Sequence, residues 1–367
     1  MTRPPSDPQP PASPAPASPR RHVRQERLPQ IGEAGQQRLA RARVAIVGLG
    51  ATGSHLAELL GRAGVGTAAA GAAGTPAERG LLRLIDRDVV ELTNLPRQTF
   101  FTDEDAASVR PKAQAAADAL QRIDPALALQ PAVEDLTADN AARLLLGVDL
   151  VLDGTDNFPT RMLMNDFCVR QRVPWIYCGV VGTEGQVLVV RPGGPCLRCY
   201  VPELPAAGSL PTCDTAGVIG PAVALVSALA AAEALKLLLG DPAVRAGEVA
   251  VVDAWSAELR HLKLPRDPAC PCCALGQHPF LDDAPAALAT ELCGRDAVQL
   301  PHAGPPLNLA EVAERLRSVG SVNAGPHLVR LDTPERRVLV FRDGRVIVGG
   351  TRDPAEARSV RARLLGV

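Results

Sequence analysis

Aromatic residues make up only 3% of this 367-residue chain. That scarcity argues against a base-stacking platform for single-stranded nucleic acid. An excess of one charge is also missing. Lys and Arg number 39, Asp and Glu 40, and the net charge is −1. Neither nucleic acid nor an acidic membrane surface is therefore expected as the main partner. The first twenty residues, MTRPPSDPQPPASPAPASPR, hold eight prolines and no apolar run. A secretory signal needs such a run. Residues 1–20 read instead as a disordered, extended tail, and the cytoplasm is the expected compartment. There the nine cysteines are expected as thiols or metal ligands rather than disulfides. The six histidines show no ligand or triad spacing, and no internal repeat is visible.

One segment approaches a membrane span, VIGPAVALVSALAAAEALKLLLG from Val218 to Gly240. Its uncharged stretch ends at Glu233, and its alanines carry little hydrophobicity. A buried helix or a helical dimer seam is the expected reading, with no membrane partner.

What is present is a globular composition, 46% apolar and 22% charged. Short apolar runs alternate with helical patterns. RVAIVGLG, LLRLID, LALQPAVED and VDLVLDGTDN read as extended; Ser54 to about Gly64, RPKAQAAADALQRID, TADNAARLLLG and PTRMLMNDFCVRQR read as helical. PWIYCGVVGTEGQVLVVRPG reads as two strands. This alternation predicts an α/β fold with a doubly wound, Rossmann-like, mainly parallel sheet. After Cys273 the pattern weakens. NLAEVAERLRSVG, HLVRL, RRVLVFRDGRVIVGG and PAEARSVRARLLG then predict helix, strand, hairpin and helix, with Asp343-Gly344 as the turn. The expected organisation is a tail over 1–20, a nucleotide-binding domain over 21–280, a linker over 281–299 and a small α/β appendage over 300–367.

GLGATG, from Gly48 to Gly53, places Gly48, Gly50 and Gly53 between a strand and a helix. Such glycines allow a tight turn and close approach of backbone to phosphate, with the helix N-terminus supplying donors. The acid expected for a ribose lies later than usual. Asp86 ends the next strand, 33 residues after Gly53, and Ala68–Gly80 reads as an inserted surface loop.

DRDVVELTNLPRQTFF then brings Asp86, Asp88, Asn94, Arg97 and Gln98 past the strand end. Lys112 opens the next helix, and DGTDN, Asp153 to Asn157, closes a later strand. Cations, an amide and an extra acid around one pocket suit a nucleotide triphosphate with Mg²⁺ better than a dinucleotide. No hydride-site His/Arg pair is apparent, against a nicotinamide dehydrogenase.

These motifs, with RHVRQERLPQIG before them and CDTAGVIGPAVALVSALAAAEALKLLLG after, resemble the ThiF/MoeB/HesA family over roughly residues 21–280. These are bacterial relatives of the ubiquitin-activating enzyme. The resemblance implies ATP- and Mg²⁺-dependent adenylation of the C-terminal glycine of a small ubiquitin-like sulfur carrier, for thiazole or molybdopterin synthesis. It also implies roles residue by residue. Gly48, Gly50 and Gly53 line the nucleotide, and Asp86 holds the ribose. Asn94, Arg97 and Lys112 contact phosphates, beside Gln98. Asp156 is the Mg²⁺ ligand, with Asp153 a weaker candidate. Arg24 resembles an arginine that reaches the γ-phosphate from the partner subunit of a homodimer; read without the family, it is a solvated charge. A relative acting on another carboxylate (the tRNA-adenosine dehydratase type) and a non-catalytic nucleotide-binding scaffold are the competing readings.

Cys196 and Cys199 form one C-x-x-C, and Cys270 and Cys273 form another, 70 residues on. Two such pairs suit tetrahedral Zn²⁺, although the spacing exceeds that of zinc fingers. The resemblance implies a structural zinc, which would staple the C-terminal part of the domain and leave Cys272 as the spare thiol. A redox pair or unlinked thiols are the alternatives. Cys213 matches the family's crossover-loop cysteine and is a conditional nucleophile. Cys168, Cys178 and Cys293 read as packing residues. The appendage is not rhodanese-like, so the sulfur donor is expected to be another protein.

Overall fold

The computed structural model describes residues 21–68, 79–205, 213–282, 290–291, 296–302 and 304–366, with Cys213, Asp214, Thr290 and Glu291 described in their backbone only. The tail, most of the Ala68–Gly80 stretch and Cys293 lie outside the described residues.

Two short helices, α1 (Val23–Glu26) and α2 (Gly32–Arg41), lead into β1 (Arg43–Val47) and α3 (Ala51–Arg62). Then come β2 (Leu81–Ile85), α4 (Asp103–Ala107), α5 (Lys112–Ile123), β3 (Leu129–Ala132), α6 (Ala138–Leu145), β4 (Leu150–Asp153) and α7 (Phe158–Gln171). The hairpin β5 (Trp175–Val181) and β6 (Glu184–Val190) precedes α8 (Leu197–Tyr200), α9 (Cys213–Ala216) and the 20-residue α10 (Gly220–Leu239). A second hairpin, β7 (Glu248–Asp253) and β8 (Glu258–Lys263), and α11 (Pro279–Asp282) complete this part. One eight-stranded sheet results, in the order β3-β2-β1-β4-β5-β6-β7-β8. The first five strands are parallel and the last three antiparallel.

Strand alternation sorts side chains to two cores. Val44 and Ile46 of β1 join α3, α5 and α10 on one face, while Ala45 and Val47 join α6 and α7 on the other. Crossovers of this kind cover both faces of a parallel sheet, so its strands read as continuous apolar runs. Among the described residues, α10 is the one helix long and apolar enough to cross a membrane. In the fold it packs on α2, α3, β5 and β6. Pro221, Leu225, Ala228 and Ala232 lie exposed on its opposite side.

A second sheet follows, antiparallel, in the order β11-β12-β13-β14-β10-β9. Its strands are β9 (Thr290–Glu291), β10 (Ala297–Leu300), β11 (Ser321–Ala324), β12 (Leu328–Asp332), β13 (Arg337–Phe341) and β14 (Val346–Gly349). The expected hairpin turn is present, with Gly344 at φ 86°. Two strands come from residues expected as linker. Helices α12 (Leu309–Leu316) and α13 (Pro354–Leu365) cover one face. The other face, through Leu328, Leu339, Phe341 and Ile347, packs on Val89 and Val109. Arg345 Nη1 donates to the Arg87 carbonyl and to Gln299 Oε1, each at 3.3 Å. Gln299 Nε2 and Arg87 Nη1 both donate to Asp135 Oδ2, at 3.2 and 2.9 Å. The second sheet is thus fastened to the loop that follows β2.

Candidate functional site

The carboxyl ends of β1, β2 and β4 meet at one edge of the sheet, where open α/β folds bind ligands. Gly48 has φ 82°, and a Cβ there would lie 2.6 Å from the Gly154 carbonyl oxygen. A Cβ on Gly53 would lie 1.9 Å from the Gly48 carbonyl oxygen. Glycine is therefore required at both positions by backbone packed on backbone. Gly50, the residue just before α3, meets no such obstacle: its Cβ would find only Gly154 and the Gln98 amide, at 3.8 and 3.9 Å. Gln98 is buried, and its Oε1 has no hydrogen-bond partner.

Asp86 sits against this loop. Its Oδ2 accepts from the Leu49 N–H and its Oδ1 from the Asp88 N–H, each at 2.6 Å. Burial pushes its carboxyl above the usual carboxylate range, and Asp88 adds to this. Lys112 and the two backbone donors pull the other way. Lys112 is buried at the start of α5, where its N–H donates to the Asp88 carbonyl at 2.9 Å. Its Nζ lies 3.3 Å from Asp88 Oδ2. An isolated bridge between Val89 and Pro111 holds the two segments together. The structure therefore brings Gly48, Gly50, Gly53, Asp86, Gln98 and Lys112 into one neighbourhood.

Other expected residues have local tasks. Asn94 caps a short 3-10 turn, Leu92–Asn94, accepting from the Glu91 N–H at 3.2 Å. Half-buried Arg97 donates to the Thr93 carbonyl at 2.7 Å. Asp153 is wholly buried and fully engaged. Its Oδ1 accepts from the Thr155 N–H and hydroxyl at 2.8 and 2.7 Å, and its Oδ2 from Arg161 Nε at 2.9 Å and the Cys178 N–H at 3.3 Å. No lone pair is left for a cation. Asp156, three residues past the end of β4, is exposed. Arg161, which sequence reasoning passed over, also donates to the Thr155 and Cys178 carbonyls at 2.6 and 2.9 Å. It shapes the loop that carries Asp156. The signal was an arginine eight residues after a strand-end acid, on the inward face of the next helix.

Arg24 is exposed on α1. There Gln25 Nε2 donates to Gln36 Oε1 at 2.8 Å and to the Ala63 carbonyl at 3.0 Å. These contacts anchor α1 at the C-terminal end of α3. The glycine loop lies at the other end, and a helix of 12 residues spans about 18 Å.

The cysteines gather as their spacing suggests. The sulfurs of Cys196, Cys199, Cys270 and Cys273 all lie within 4.8 Å of one another. Cys196 is 3.6 Å from Cys270, and Cys199 is 3.5 Å from Cys273. A disulfide needs about 2.05 Å, whereas tetrahedral zinc with bonds of about 2.3 Å sets sulfurs about 3.8 Å apart. The donor set fits zinc. A hydrogen bond from Cys272 lowers the Cys196 thiol to about 4. Burial, aided by the neighbouring thiols, pushes Cys270 and Cys273 upward. Four thiolates set this close together need a cation to coexist. Cys168 and Cys178 are buried with raised thiols, inert as packing residues should be. The Cys213 side chain lies outside the described residues.

The ThiF family model matches residues 22–272. The chain is 37% identical over 340 residues to the sulfur carrier protein ThiS adenylyltransferase of Bacillus subtilis (strain 168), covering 90% of this chain and 95% of that protein. It is 37% identical over 240 residues to the molybdopterin-synthase adenylyltransferase of Escherichia coli (strain K12), covering 65% and 89%. Among solved structures, Escherichia coli MccB with MccA-N7isoASN superposes with a TM-score of 0.55 at 21% identity, covering 65% of this chain and 68% of that one, which shows a shared fold.

Proposed function

The chain belongs to the ThiF family, and on that footing we propose that it adenylates the C-terminal glycine carboxylate of a small ubiquitin-like sulfur carrier. The observation that carries this reading is the meeting of the glycine loop, Asp86 and buried Lys112 at one edge of the parallel sheet. A C-terminal carboxylate has a pKa of about 3.5 and is already a nucleophile at neutral pH. It needs no general base. The obstacle is its approach to a polyanion, so positioning and charge neutralisation supply the catalysis.

In this reading the α3 N-terminus and the Gly48–Gly53 backbone hold phosphate, and Asp86 accepts from the ribose hydroxyls. Lys112 and Arg97 face the phosphate oxygens while the carboxylate attacks the α-phosphorus. One P–O bond forms as the bond to pyrophosphate breaks, leaving the acyl-adenylate. Mg²⁺, held through Asp156, would supply further neutralisation of the leaving group. Arg24, distant from the loop of its own chain, serves the second subunit of a homodimer, and the exposed apolar side of α10 is the seam proposed for it. The four-cysteine cluster holds a structural zinc. Cys213 is the thiol that would capture the activated carrier, and another protein supplies sulfur, in the cytoplasm.

The 340-residue alignment with the ThiS adenylyltransferase cannot fit within residues 22–272, so it extends into the second sheet. This favours a ThiS-like carrier over a MoaD-like one. The test is carrier-dependent ATP–pyrophosphate exchange with both carriers. Exchange with the ThiS-like protein is expected; exchange with neither refutes the activity. Cys213→Ala should retain exchange and lose any covalent carrier adduct.

A further inference from the structure

A second set of metal donors lies beside the four cysteines and is not used by the reaction. Asp166 of α7, Cys272 and His278 come from segments more than a hundred residues apart, yet one donor atom from each lies within 4.8 Å of the other two. Cys272 Sγ is 3.6 Å from His278 Nδ1. A tetrahedral zinc with bonds of about 2.3 Å to sulfur and 2.0–2.1 Å to nitrogen sets these two atoms about 3.6 Å apart.

The carboxylate supplies an independent observation. Asp166 is fully buried. Its Oδ2 accepts from the Phe280 N–H at 3.1 Å, but its Oδ1 is buried without a hydrogen-bond partner. Such an atom calls for a partner. Arg198 lies over the Phe280 ring at 5.8 Å and forms no ion pair with Asp166 among the described residues. A cation between Asp166, Cys272 and His278 would satisfy the orphaned oxygen.

The local backbone explains how one turn can serve two centres. The Ala274 and Leu275 N–H groups donate to the Cys270 carbonyl at 3.2 and 3.1 Å, and the Gly276 N–H to the Cys272 carbonyl at 3.0 Å. Cys270 and Cys273 thereby face Cys196 and Cys199, while Cys272, which also reaches Cys196, lies against Asn165 of α7. Asn165 stands between the centres. Its Oδ1 accepts from the Leu197 N–H at 2.9 Å, next to Cys196, and its Nδ2 donates to Cys272 Sγ at 3.2 Å. An amide donor on a ligating sulfur is a common outer-shell partner.

We propose that Asp166, Cys272 and His278 form a second, three-donor site for one divalent ion, of which Zn²⁺ best suits the mixed sulfur, nitrogen and oxygen donors. Three protein donors leave a fourth position open.

The test uses the full chain, stripped of metal and titrated with Co²⁺, then with competing Zn²⁺. Two equivalents per chain are expected. The first carries the strong sulfur-to-cobalt absorption of four thiolates, the second a weaker band from one. Cys272→Ser, Asp166→Asn and His278→Ala should each abolish the second step and leave the first. Asp166→Asn keeps an oxygen for the Phe280 N–H, so folding should survive. Saturation at one equivalent overturns the proposal, as does a second step that persists in all three variants. Should a variant fail to fold, the wild-type spectrum decides, because a second step without any added sulfur band excludes Cys272.

Discussion

Lys112 Nζ lies 3.3 Å from Asp88 Oδ2, with the lysine side chain only 6% exposed. The same lysine is the main charge holding down the pKa of Asp86. One cation therefore balances two acids beside the glycine loop. Lys112→Ala should cut carrier-dependent exchange by about 10²–10³-fold, the usual effect of removing one preorganised charge donor. Circular dichroism should show the fold retained. Unchanged exchange would remove Lys112 from the site.

Asp153 and Asp156, three residues apart, should respond differently to substitution. Asp153→Ala leaves Arg161 buried without its charge partner and should cost about 3–5 kcal/mol of stability, read from denaturant unfolding. Asp156→Ala, at an exposed position, should keep stability within about 0.5 kcal/mol and weaken the dependence of exchange on Mg²⁺. If the Asp156 variant unfolds and the Asp153 variant does not, the assignment of the two acids is reversed.

Arg24 tests whether the site is shared between subunits. Arg24→Ala and Lys112→Ala should each be inactive alone. When the two are unfolded and refolded together, mixed dimers hold one site with both residues intact. Recovery should reach about a quarter of wild-type activity, given random pairing of a two-fold dimer. No recovery places Arg24 outside the partner's site.

The pH dependence follows from Asp86. Its folded pKa is raised, chiefly by burial. Protonation therefore favours the folded state: the stabilising contribution is full below the ordinary value of about 3.9 and is lost as pH rises through the folded value. Ribose binding has the opposite requirement, since it needs the carboxylate. ATP affinity, measured by calorimetry, should begin to fall on acidification while ordinary surface carboxylates remain ionised. An affinity that falls only together with the titration of ordinary surface carboxylates would show that Asp86 does not bind ATP.

Much of the nucleotide half was legible because its signals are local. The glycines, the apolar run of β1 and the acid ending β2 mark the site, and the Leu49–Asp86 hydrogen bond shows the two segments meeting despite the Ala68–Gly80 stretch. The start of α3 was misjudged, at Ser54 rather than Ala51, because Gly53 reads as loop yet lies within the helix. Engagement was not legible. Asp153 and Asp156 look alike in DGTDN, and only the fold shows Arg161 reaching back to fill one of them. The hairpin of β7 and β8 escaped notice because every residue of β8 is exposed, so ELRHLK carries no apolar alternation. Asp166 and His278 were invisible as donors, since nothing in their spacing relates α7 to a turn more than a hundred residues later.

The cysteine cluster also sets an order of events during synthesis. Cys196 and Cys270 are 74 positions apart, and at 5–20 residues per second the ribosome takes about 4–15 s to cover that interval. Every parallel strand precedes Cys196, so the nucleotide edge can take shape while the first two thiols still wait for their counterparts. A nascent chain therefore passes through a stage with all five parallel strands made and the first dithiol still without its counterparts. Ion delivery, or damage to those thiols by oxidants, has its natural window there, before the finished molecule exists.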